Sequence, residues 1–136
     1  MSYIGTYKLT HWIMPGENSP QRITQEEMEA KDPETRRSCK TLVIYDNGTL
    51  NICLGTIPPD VPQEEIEEEL KRRPTMKIIN GEIFDDRELR KWKEEDGALY
   101  IENTNKSGGL GPDPWIKIST DTPGELQYIF CIYTKQ

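Results

Sequence analysis

The feature that most limits how this chain can fold is its punctuation. Short apolar runs alternate with turn signals along most of its length, a rhythm of strands and hairpins. Asp46-Asn47-Gly48 separates residues 41–45 from 49–54, and Asp96-Gly97 separates 87–93 from 98–103. Asp121-Thr122-Pro123-Gly124 separates 115–119 from 126–134. Asn-Gly and Asp-Gly favour hairpins because both positions tolerate positive φ. With residues 3–13 and 76–84 added, the pattern predicts eight strands, mostly joined in chain order. Such a sheet has two bare edges unless it closes on itself. The expectation is a mainly β fold: an eight-stranded antiparallel up-and-down barrel with short helical insertions, forming one domain over residues 1–136. A barrel of that size holds side chains or one small ligand.

Two insertions read as helical. Thr24 followed by Glu27 is a capping box, and Ile23 and Met28 have the spacing of the accompanying hydrophobic staple. Asp32-Pro33 should stop that helix and cap a short second one over 33–38. Residues 62–73 open with acids and close with bases, as the helix dipole prefers. Only Ile66 and Leu70 give that helix an apolar face, which predicts a surface position. Residues 104–114 carry Gly108, Gly109 and Gly111 but lack the Lys-Ser/Thr ending of a phosphate loop, so a turn between strands is expected there.

Charge narrows the partners. The chain is 34% apolar and 30% charged with a net charge of −7, which fits a folded protein with polar decoration. Nucleic-acid binding needs clustered Lys and Arg. Arg36-Arg37 and Lys71-Arg72-Arg73 are the densest basic stretches, and each adjoins acids or a predicted helix end. The expectation is no nucleic acid and no membrane insertion, because no run is long and apolar enough to span a bilayer. No leader is visible at Met1-Ser2-Tyr3-Ile4-Gly5, which places the protein in the cytoplasm on this reading. Cys39, Cys53 and Cys131 contain no CxxC pair and read as reduced thiols.

Period-two alternation sorts the strand residues by face. Gly5, Tyr7, Leu9, His11 and Ile13 form the more apolar row of the first strand and are assigned inward. In the last strand, Leu126, Tyr128, Phe130 and Ile132 share one face and Ile129, Cys131 and Tyr133 the other. Both faces are apolar, so the strand is covered twice or meets a partner; the Tyr128/Phe130 face is assigned inward.

Tyr3-Ile4-Gly5-Thr6-Tyr7-Lys8-Leu9 resembles the opening strand of the lipocalin and fatty-acid-binding-protein superfamily, with Tyr7 where that family has Trp. Fatty-acid-binding proteins place a helix-turn-helix lid after the first strand, and residues 21–38 stand in that place. The family's ligand-anchoring Arg and Tyr near the chain end have no counterpart here: Tyr128 and Tyr133 are present, but no Arg accompanies them. The resemblance implies a cavity, without implying a fatty acid.

Catalytic chemistry has little to stand on. His11 is the only histidine, which excludes His pairs and multi-His metal sites. It reads as a structural residue or a polar contact in a cavity. Cys53 and Cys131 lie in predicted strands and read as packing residues. Asp85-Asp86 and Glu94-Glu95-Asp96 flank turns, where acids serve local hydrogen bonding. No catalytic residue, metal or cofactor is expected. Aromatic residues spread over five predicted strands either line one apolar cavity or fill the barrel; with the cavity that the resemblance implies, the expectation is a lipocalin-like binding protein for a small apolar or amphipathic molecule. Tyr7, Leu9, His11, Tyr128 and Phe130 are the expected cavity wall. The alternatives are a structural or interaction barrel, with the two-sided last strand pairing in a homodimer, and an enzyme on the same barrel.

Overall fold

The computed structural model describes residues 3–14, 21–37, 40–104 and 113–136. Cys39 and the glycines of the 104–114 loop lie outside the described residues. The strands are β1 (Gly5–Met14), β2 (Gln21–Thr24), β3 (Thr41–Ile44), β4 (Thr49–Ile52), β5 (Gly55–Thr56) and β6 (Met76–Ile79). They continue as β7 (Glu82–Asp85), β8 (Arg90–Glu95), β9 (Ala98–Glu102), β10 (Trp115–Lys117), β11 (Glu125–Tyr128) and β12 (Cys131–Lys135). Helix α1 spans Gln25–Lys31 and α2 spans Gln63–Arg72. Among the described residues, no helix is long and apolar enough to cross a membrane.

The main sheet runs β10-β9-β8-β4-β3-β1-β12-β11, with β2 also paired to β1. These eight strands follow chain order, the first lies beside the last, and the sheet curls into an open half-barrel. The residues after β10 touch the β11 edge only locally. Ser119 and Leu126 form an isolated antiparallel bridge, and the Gln127 N–H donates to the Ile118 carbonyl at 2.7 Å. Thr120 accepts from the Thr122 amide at 3.1 Å and turns the chain away, so no longer ladder forms. The concave side is packed with Tyr7, Leu42, Ile44, Leu50, Leu99, Ile101, Leu126 and Tyr133.

Six of the predicted strands stand in the main sheet, and the count of eight is completed by a split of the last one, because 76–84 lies elsewhere. The predicted strand 76–84 is a hairpin, β6–β7, turning at Asn80 (φ 52°) and Gly81 (φ 78°). That is a two-residue Asn-Gly turn, with both residues in the left-handed region. The hairpin joins β5 in a separate three-stranded sheet ordered β5-β7-β6. The predicted last strand is likewise a hairpin, β11–β12, turning at Ile129 and Phe130. Ile129 sits at φ 57°, which a β-branched residue rarely adopts. The two-sided apolarity of residues 126–134 thus comes from two strands whose inward rows are Leu126/Tyr128 and Cys131/Tyr133.

The small sheet covers the convex side of the half-barrel. Leu42 and Leu50 enter the concave core, so their neighbours Thr41 and Asn51 face the opposite way, yet both are buried. Glu82 of β7 reaches this layer, accepting from the Thr41 hydroxyl and from Lys8 Nζ at 3.2 Å. Phe84, two residues on, is buried as well. The Asn51 amide has no hydrogen-bond partner among the described residues.

Both helices form where the sequence placed them. The Thr24 hydroxyl accepts from the Glu27 amide at 3.1 Å, and Ile23 and Met28 are both buried. The expected second helix is a 3-10 turn over Pro33–Arg37. Helix α2 buries none of its residues, as its narrow apolar stripe requires.

Candidate functional site

The mouth of the half-barrel, at the end carrying β2 and α1, gathers more chemistry than the packed floor. A bulge builds it. β1 pairs Leu9 with Tyr133 and then His11 with Ile132, so Thr10 is an extra residue and the alternation flips. Trp12 therefore continues the inward row of Tyr7 and Leu9, while His11 turns to the convex face. This corrects the expected inward position of His11, whose Nδ1 lies 2.9 Å from the Thr10 hydroxyl. Phe130 is corrected too: it sits at the β11–β12 turn, 59% exposed, because that turn interrupts the row it was assigned to. Ile132 lies outside the concave core, opposite Tyr133 and Cys131.

Trp12, Ile52, Tyr128 and Cys131 are half-buried against the core and form the rim. The Trp12 indole N–H donates to Gln25 Oε1, which ties the rim to the start of α1. Gln25 Nε2 in turn donates to the Thr35 carbonyl at 3.3 Å.

Arg90 is the functional group that sequence reasoning missed. It opens β8 opposite Leu50, so its side chain enters the concave side. Its Nη1 donates to the Tyr128 hydroxyl at 2.7 Å, and its guanidinium carbon lies 5.3 Å from the centre of that ring. The two residues are separated by 38 positions, so no local spacing announces the pair. Among the described residues Arg90 has no ion pair. A guanidinium has five N–H donors in a fixed fork, leaving most of this one open to an oxygen ligand.

Other reactive groups are spoken for. Burial pushes the Cys53 thiol up, and Cys53 Sγ donates to the Gly55 carbonyl at 3.1 Å, both marks of an inert thiol. Burial, aided by the nearby Tyr3, pushes the Tyr7 phenol up to about 12, and its hydroxyl donates to the Tyr3 carbonyl at 2.8 Å. Asp85 is held below the usual carboxylate range by the Arg87 amide and the Thr75 hydroxyl, the bonds of a turn cap. Among the described residues, no group of three or more His, Cys, Asp or Glu could hold a metal ion. No family model, curated protein or solved structure matches the chain.

Proposed function

We propose that this chain is a lipocalin-like binding protein for a small amphipathic molecule with an anionic end. The apolar part lies against Trp12, Ile52 and Tyr128 at the mouth, and the anionic end meets the open side of the Arg90 fork. Tyr7 and Leu9 form the floor beneath. In this reading the Ser119–Leu126 bridge is the seam of a lipocalin-like barrel. The sequential strand order and the β1–β12 pairing support that. The observation that carries the proposal is Arg90, a half-buried cation without a counter-ion among the described residues, fixed by a phenol inside an apolar rim. Such a group gains most from an anion whose chain also leaves water.

Calorimetric titration of octanoate, octanol and octylamine tests it. Octanoate should bind best, and Arg90→Gln should weaken it by about tenfold or more, the effect of losing a charged hydrogen bond. Equal affinity of wild type and Arg90→Gln for octanoate would sink the proposal. The interaction reading retains one observation: Ile129 and Phe130 are 47% and 59% exposed at a hairpin tip. Sedimentation that shows wild type and Phe130→Ser equally monomeric at high concentration removes it.

A further inference from the structure

A cavity remote in character from the mouth lies between α2 and the small sheet. Its volume is about 220 Å³. Ile57, Pro58, Val61 and Ile66 line the helix side, and Ile78 and Ile83 the sheet side. The local fold explains why it exists. Alternation along β7 sends Glu82 and Phe84 into the buried layer against the half-barrel and leaves Ile83 for the other face. Ile78 stands directly across from Ile83 in the β6–β7 ladder, so the two make one aliphatic floor. Ile66 faces that floor from α2 but is only half-buried, and α2 buries nothing else to fill the gap.

The two polar side chains on the lining are both acids, Glu65 and Glu69. They lie four residues apart on α2 and so share one face. Glu69 is engaged by Arg72 at 3.0 Å and Arg73 at 3.6 Å. Glu65 has no ion pair among the described residues. An aliphatic cavity with one uncompensated carboxylate at its edge selects by charge as well as by polarity.

We propose that this cavity is a binding site for a small apolar molecule with a cationic end, a short alkylammonium or a single-ring amine. Size fixes the class. An apolar cavity of about 150 Å³ holds benzene, and drug-sized ligands use about 300 Å³ or more. A volume of about 220 Å³ therefore takes a single ring or a short chain and not a peptide helix. The apolar end displaces water from Ile66, Ile78 and Ile83, and the ammonium stays at the rim beside Glu65.

The test is amide chemical-shift titration of the full chain with hexylamine, hexanol and hexanoate. Hexylammonium should shift Ile66, Ile78 and Ile83 and bind about threefold tighter than hexanol, as a partly exposed ion pair allows. Hexanoate should bind there most weakly. Glu65→Gln should erase the preference for the amine while hexanol affinity stays. Ile66→Trp, which fills the cavity from an exposed helix, should remove binding of both at these amides. Absence of shifts there with any of the three, equal affinity for amine and alcohol, or an unchanged preference in Glu65→Gln overturns the proposal. Arg90→Gln should leave all of these shifts unaltered, separating this site from the mouth.

Discussion

The mouth of the half-barrel and the cavity beneath α2 are built in opposite ways. The mouth is aromatic and cationic, and its residues come from β1, β4, β8, β11 and β12 of one continuous sheet. The cavity is aliphatic and acidic, made mostly by one helix, its approach and one hairpin within residues 57–83. The mouth rests on fully buried side chains, whereas α2 buries none. A site on a packed sheet is rigid and depends on long-range pairing. A site under a loosely seated helix depends on local chain and tolerates change. On the two proposals, a fixed surface suited to anions is separated from an adjustable one suited to cations.

Stability measurements can break this contrast at its largest point. Leu50→Ala, below the mouth, should cost about 2–5 kcal/mol in denaturant unfolding, since Leu50 is fully buried. If Leu50→Ala costs no more than a change in α2, the rigid-floor account fails.

Alkaline pH gives the next effect. Burial, aided by Tyr3, raises the Tyr7 phenol to about 12, against 10.0 for an unperturbed phenol. Its contribution, on the order of 2 kcal/mol, is fully present below pH 10 and is lost as pH rises from 10 toward 12. Tyr7→Phe should flatten the stability profile in that window. A wild-type profile already flat between pH 10 and 12 contradicts the buried floor.

Relief of backbone strain at the rim comes third. Ile129→Gly should raise stability by about 1 kcal/mol, because glycine accepts φ 57° without the Cβ clash. A destabilised Ile129→Gly protein would show that the exposed isoleucine side chain matters more than the turn. Smallest of all, Ile66→Ala in α2 should cost about 0.5 kcal/mol or less on unfolding, because its side chain is only half-buried. A cost above about 2 kcal/mol would mean that α2 is packed as firmly as the sheet.

Much of the local structure was legible in residue order, and the failures have identifiable causes. The α1 capping box, the Asp96-Gly97 turn and the surface position of α2 follow from neighbours within four residues of one another. The Asn80-Gly81 turn carried the same signal as Asn47-Gly48, but the apolar run around it, Met76 to Phe84, masked it as one strand. The Ile129-Phe130 turn carried no signal at all, since neither residue belongs to the usual turn formers. The Thr10 bulge was equally silent. One extra residue moved His11 out and Trp12 in, so of the five expected wall residues only Tyr7, Leu9 and Tyr128 lie on the concave side.

By itself the sequence determined the mainly antiparallel β character, the two helices and the apolar row beginning with Tyr7 and Leu9. These depend on periodicity, caps and turn chemistry, which act over a few residues. Tertiary structure decided where the strands pair, that residues 76–85 leave the main sheet, and that Arg90 meets Tyr128. Those outcomes depend on register between strands far apart in the chain, where one inserted residue exchanges the two faces and no local preference records the choice.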